Sequence, residues 1–229
     1  TDSLTPVIST WEGKLFGFEA LGNIWNIVLG LSVMFLARIL GALYLINNVN
    51  HEDVTKRLRK SVLLNTIPFL LCFVSFVVHL LLKDGLHYVS DTETFMLTSY
   101  KYLTNFMTYP LVSALFITGV VCVIFGIIRT ILSPTYVKGI WFAGLGTVLT
   151  VMNLLVIAGF NNTAFYPSTV HTNSSLCIAN SSASETTLFT MTIVSAIIPF
   201  VLAYIAYAWR KIDTKQITEE EISSTSHKY

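Results

Sequence analysis

Long apolar runs alternate with short polar stretches along most of this chain. From Gly139 to Phe160 there are 22 residues without a charge. At helical rise such a run covers about 33 Å, enough to cross the hydrocarbon core of a bilayer. Lys138 stands at one end with Trp141 just inside it, and the other end enters an uncharged polar loop with aromatic residues. A basic flank, an aromatic belt and an apolar middle mark a spanning helix. Four further runs repeat the pattern: Ile24 to Ile46, Val62 to Leu82, Pro110 to Leu132 and Leu188 to Trp209. The chain reads as an all-α integral membrane protein with five transmembrane helices.

Breakers and small residues add detail. Pro110 takes the first-turn position that proline favours, and Ser133-Pro134 closes the same span. Pro68 falls near the start of the second predicted span, where a missing hydrogen bond costs less than at mid-helix. Pro199 predicts a kink in the fifth. Ala37 and Gly41 lie four apart, and Gly139, Ala143 and Thr147 form a ridge; both patterns let a neighbouring helix come close.

The chain divides into residues 1–23, outside the bilayer or at its surface, a five-span domain over 24–210, and a polar tail over 211–229. Trp11, Leu15, Phe18 and Trp25 recur at helical steps, but Gly13, Gly17 and Gly22 weaken the stripe. An interfacial helix and a plain loop both fit that start. With Thr rather than Met at position 1 and no signal-peptide layout before the first span, the chain reads as a piece of something longer.

Charge then orients the spans. His51 to Lys60 reads as a short, strongly basic loop, and residues 83–108 as a polar loop in which Tyr100-Lys101-Tyr102 serves as a membrane-surface anchor. The loop 161–186 has no Lys or Arg. One side collects Lys56, Arg57, Arg59, Lys60, Arg129, Lys138, Arg210, Lys211, Lys215 and Lys228, against Lys14, Lys83 and Lys101 on the other. The positive-inside rule puts the N-terminus outside and the C-terminus in the cytoplasm.

Composition agrees with a membrane class. The residues are 53% hydrophobic and 12% charged, whereas soluble domains carry about 25% charge. With 14 basic and 13 acidic residues the balance gives no electrostatic handle for nucleic acid. Cys72 and Cys122 lie in apolar runs and Cys177 in a polar loop, which does not make a disulfide framework.

Candidate chemistry is sparse. Arg38 is the one charge in the interior of a span, Arg129 lying in the last turn of the third, and none of the five spans contains Asp or Glu. A central arginine costs about 2.5–3.5 kcal/mol on insertion scales, so a backbone carbonyl, a lipid phosphate or another subunit must meet it. Of His51, His79, His87, His171 and His227, only His79 is within a span, so two facing imidazoles for a haem are not supplied. Met34, Met152 and Met191 read as core filling. Glu19 and Glu185 stand at the outer surface, where a carboxylate could meet water or a partner. Three sequons, at Asn161, Asn173 and Asn180, share the outer loop, where a Ser/Asn-rich composition produces them by chance. No catalytic residue and no metal ligand is assigned.

Several stretches are recognisable together. AGFNNTAFYPS (158–168), SSLCIANSSASETTL (174–188) and PFVLAYIAYAWRKID (199–213) resemble the C-terminal part of subunit II of the cytochrome bd-type quinol oxidases. FLARILGALYLINN (35–48), RKSVLLNTIPFLLCFVSFV (59–77) and VKGIWFAGLGTVLT (137–150) are similar to the preceding part. The resemblance implies a four-helix bundle within the five spans and a bacterial cytoplasmic membrane. It also implies a partner, subunit I, that carries haems b and d, oxidises quinol and reduces oxygen to water. This chain would then be its structural and assembly counterpart, ligating no haem; a structural quinone is compatible with that role. The family's first bundle has no match here. Phe35 to Arg38 fit its FLAR-type segment and Asn180 to Ser184 its Asn-Ser segment, while Cys177 departs from a usual Thr. Arg38, Asn180 and Glu185 are therefore the candidate subunit-contact or intramembrane polar residues. A multi-pass transporter or channel is the alternative, resting on the spans, Pro199 and Arg38. A glycosylated surface protein is a third reading, resting on the sequons.

Overall fold

A computed structural model describes residues 17–168 and 171–212. The elements are α1 (Ile24–Asn48), α2 (Glu52–Leu82), β1 (Gly85–Val89), β2 (Thr94–Thr98), α3 (Lys101–Thr108), α4 (Pro110–Leu132), α5 (Gly139–Gly159), α6 (Ile178–Ser181), α7 (Glu185–Ser195) and α8 (Ile198–Ile212). Helices α1, α2, α4 and α5, and α7 with α8 taken together, are long and apolar enough to cross a membrane. The five expected spans are all present.

Helix α1 packs along α2, and α4 along α5. The two pairs close into a four-helix bundle around Ile39, Leu43, Ile46, Val62, Phe69, Val123, Ile127 and Ala143. Apolar residues such as Leu71, Val121, Val148 and Leu155 point outward, as they do where lipid rather than water is the solvent. The α4–α5 crossing is the tightest. A Cβ on Gly126 would lie 2.7 Å from the Gly139 carbonyl oxygen, and one on Gly146 would lie 2.6 Å from that of Gly119. The expected small-residue ridge exists, but it runs Gly139–Ala143–Gly146–Thr150, with Thr147 half-buried beside it.

Three local expectations change. The basic stretch after His51 is the opening of α2, not a loop. Glu52 and Asp53 occupy its first turn, where the helix dipole favours acids, and Glu52 pairs with Lys56 one turn on at 2.7 Å. Pro68 consequently lies mid-helix, in an α2 that continues through it. Residues 83–108 hold an antiparallel hairpin with Gly85 opposite Thr98 and Val89 opposite Thr94, and then α3. Glu93, at φ 52, closes the hairpin's turn.

The fifth span breaks where Pro199 predicts trouble. Proline at the second position of α8 has no N–H and crowds the carbonyl of Ser195. The chain tightens there, with Ile197 N donating to Val194 O at 3.0 Å. From Glu185 to Ile212 every residue is exposed except half-buried Ala208. Trp209 meets Tyr44 of α1 edge-on, with ring centroids 6.2 Å apart. At the start of the described chain, Phe18–Gly22 is a single 3-10 turn, and Asn23 caps α1 by accepting from Trp25 N at 3.0 Å. Trp11, Leu15 and the tail beyond Ile212 lie outside the described residues, as does His227.

Candidate functional site

At the hairpin end of the bundle a polar cluster is buried. Lys101 is 4% exposed, and its Nζ donates to His87 Nδ1 at 3.1 Å and to the Asn161 carbonyl at 2.9 Å. His87 thus carries its proton on Nε2 when Lys101 is charged. Among the described residues no carboxylate forms an ion pair with Lys101, and burial lowers its pKa. Burial also pushes the neighbouring Tyr102 phenol up. The cluster joins β1, α3 and the segment that leaves α5.

Asn105 organises the same end. It is fully buried, and its Nδ2 donates to the Ile157 carbonyl at 2.9 Å and Thr163 Oγ1 at 2.8 Å. Asn161 Nδ2 donates to Asn105 Oδ1 at 3.0 Å. The last carbonyls of a helix lack intrahelical partners, so Asn105 serves as an end cap for α5 supplied by a different helix. Asn161 and Asn162 follow with φ of 60 and 52, the left-handed conformation that asparagine tolerates.

Arg59 does the equivalent work at the opposite end. Its guanidinium donates to the carbonyls of Thr130 and Ser133, the second at 2.8 Å, and to those of Pro134 and Tyr136 at 2.8 and 3.1 Å. A planar fork of five N–H groups can satisfy several carbonyls at once. Between the two ends lies a cavity of about 40 Å³ walled by Leu36, Phe69, Phe73, Val123, Thr150 and their neighbours. Ligand pockets usually exceed about 300 Å³, so this space is too small for a ring system.

The residues singled out in the sequence are not brought together. Arg38 is exposed on α1 and makes no hydrogen bond or ion pair with the described residues. Asn180 works within its own turn: its Oδ1 accepts from Cys177 N at 2.7 Å and its Nδ2 donates to the Ser175 carbonyl at 2.9 Å. Glu185 is exposed in the first turn of α7. The other sequon asparagines also have structural duties, Asn161 toward Asn105 and Asn173 accepting from Phe95 N at 3.2 Å. His79 lies flat against Trp25 with ring centroids 3.8 Å apart. Glu19 has a backbone position in the 3-10 turn.

Lys101 and Tyr102 correct the sequence reading. Both are buried under the hairpin rather than anchoring the membrane surface; only Tyr100 is exposed. Residues 85–89 and 94–98 carry the apolar and aromatic alternation of strands around a polar turn, which is the signal that could have revealed the hairpin.

Five helices long and apolar enough to cross a bilayer, four of them closed into a bundle with a capped polar end, define a multi-pass membrane protein. Residues 4–212 match the family of cytochrome bd terminal oxidase subunit II, and the chain belongs to it. Comparison with curated proteins gives no match. Family membership makes the chain part of a cytochrome bd oxidase complex with a partner subunit.

Proposed function

We propose that this chain is the structural and assembly subunit of a bacterial cytochrome bd-type respiratory oxidase, placed in the cytoplasmic membrane with its N-terminal side outside. The observation that carries the reading is the family match over nearly the whole chain. The partner's haems b and d would supply the electron path from quinol to oxygen. Two of the described imidazoles are already engaged within the fold: His79 is stacked on Trp25, and His87 Nδ1 accepts from Lys101. Its contribution is shape. Arg59 and Asn105 hold the α4–α5 hairpin at both ends, and the Gly119–Gly146 contact locks its middle, giving the partner a firm wall. A structural quinone in this half would need more room than the bundle's central cavity offers.

Affinity purification of the chain from native membranes, with an absorbance spectrum of the product, tests the proposal. A larger haem-bearing polypeptide should co-purify, and deletion of this chain should abolish quinol oxidase activity. Recovery of the chain without such a partner, oxidase activity that survives the deletion, or solute flux through the chain in proteoliposomes would overturn it.

A further inference from the structure

The hairpin meets the bundle through a contact between two basic side chains. His87 shares a face of β1 with Gly85 and Val89, and the strand rests on the start of α3, where a Cβ on Gly85 would lie 2.8 Å from Lys101 Cβ. Backbone bonds flank the contact. Tyr88 N donates to the Asn162 carbonyl at 2.8 Å and Ala164 N to that of Leu86 at 2.9 Å, so β1 is also stitched to the segment that leaves α5. Lys101 joins all three pieces, because its Nζ reaches both His87 Nδ1 and the Asn161 carbonyl.

At 3.1 Å the two nitrogens share one hydrogen. It points from Nζ at the Nδ1 lone pair, or from Nδ1 at a neutral amine; in both cases one partner accepts. A further proton removes that acceptor, since an ammonium has no lone pair and an imidazolium donates from both nitrogens. Two cations would then face each other under the hairpin, and among the described residues no carboxylate forms an ion pair with either. The neighbouring elements offer no compensation. Tyr102 is the other ionisable group of α3, β2 has none, and residues 160–166 carry only Tyr166. Asp84, at the hairpin's base, accepts from Tyr100 N at 3.2 Å, while Asp91 and Glu93 stand at its far turn.

Lys101 is buried beneath Gly85 and beside Tyr102, whereas His87 is half-buried, so the imidazole is the member that can turn to water. Histidine is also the side chain that ordinarily changes charge between pH 5 and 8. We propose that His87 and Lys101 form an acid-released latch, closed on α3 and the exit of α5 while His87 is neutral and loosened when His87 takes a second ring proton. The closed cap excludes that proton, so it is favoured at neutral pH and lost as pH falls. On the orientation proposed above, the latch faces the medium outside the membrane. The latch itself rests on its own geometry and not on that orientation.

Hydrogen exchange of the complete complex at pH 7.5 and pH 5, normalised to the unfolded-chain rate at each pH, tests the proposal. Exchange of the Tyr88 and Ala164 amides should be roughly five- to tenfold faster at pH 5, as a like charge at this range is able to impose. Residues 119–126 of α4 should not change. His87→Gln keeps a neutral acceptor at every pH and should flatten the response; Lys101→Met removes the opposing cation and should flatten it too. A wild-type response that is absent, or that spreads through α4, would overturn the latch. So would a response that persists in His87→Gln, which would assign it to Asp84, Asp91, Glu93 or His171, or one that persists in Lys101→Met. Should His87→Gln fail to fold, Lys101→Met alone decides between the outcomes.

Discussion

A Cβ added to Gly146 would lie 2.6 Å from the Gly119 carbonyl oxygen and 2.7 Å from the Val123 backbone nitrogen. The obstacles are main-chain atoms, which cannot swing aside as a flexible side chain does. Gly146→Ala should therefore push α4 and α5 apart, at a cost of about 1–3 kcal/mol. Gly144→Ala is the control, since nothing lies within 4 Å of its Cβ position. There, better helix propensity should leave stability unchanged or raise it by about 0.5–1 kcal/mol. Thermal unfolding of the detergent-purified complex separates the two; equal effects would contradict the crossing geometry.

The spans were legible because an apolar run long enough to cross a bilayer needs no tertiary information. The polar end was not. Lys101 between two tyrosines reads the same whether it faces headgroups or lies under a hairpin, and its actual acceptors, His87 and Asn161, are 14 and 60 residues away. Nor does any local pattern show that Asn105 will cap a helix that ends 54 residues later, at Gly159. The start of α2 misled for another reason. Its basic residues contrast with the apolar run, although Glu52 four before Lys56 was a helical pairing in plain view. Arg38 stands out in the sequence as a charge within an apolar run, yet only the fold shows that it faces away from the bundle.

Arg59 offers a second test. Its guanidinium meets four carbonyls at the end of α4 and in the turn that leads to α5. Arg59→Ala would leave those groups short of donors, including the carbonyl of fully buried Thr130. The expected loss is about 1–3 kcal/mol, with the 133–137 turn becoming a preferred protease site. Arg59→Lys should recover only part, because a point charge cannot span the fork. Full recovery by lysine would show that charge, not geometry, is what counts.

Asn105 can be challenged through its donors. Asn105→Asp preserves the shape but replaces two N–H donors with an oxygen that would face the Ile157 carbonyl and Thr163 Oγ1. Asn105→Ala removes the clash while leaving the carbonyl unsatisfied, at about 1–3 kcal/mol. Hydrogen exchange across residues 157–164 should accelerate in both variants, more in Asn105→Asp. Protection equal to wild type would mean that the cap is dispensable.

Lys101 makes the pH dependence specific. Burial lowers its folded pKa below the ordinary lysine value of 10.5. Between that lowered value and 10.5 the unfolded chain holds a proton that the folded chain has released, so stability rises with pH across this window. Tyr102 acts in the opposite sense: its folded pKa is raised above the ordinary 10.0, so its contribution falls as pH climbs past that value. The net rise should thus be visible below about pH 10 and flatten above it. Lys101→Met removes the titrating group and should abolish the rise, while Tyr102→Phe should extend it to higher pH. Unfolding temperatures of the purified protein, measured at closely spaced alkaline pH values for wild type and both variants, check all three signs. A wild-type profile that superimposes on that of Lys101→Met would mean that the buried ammonium imposes no penalty on the folded cap.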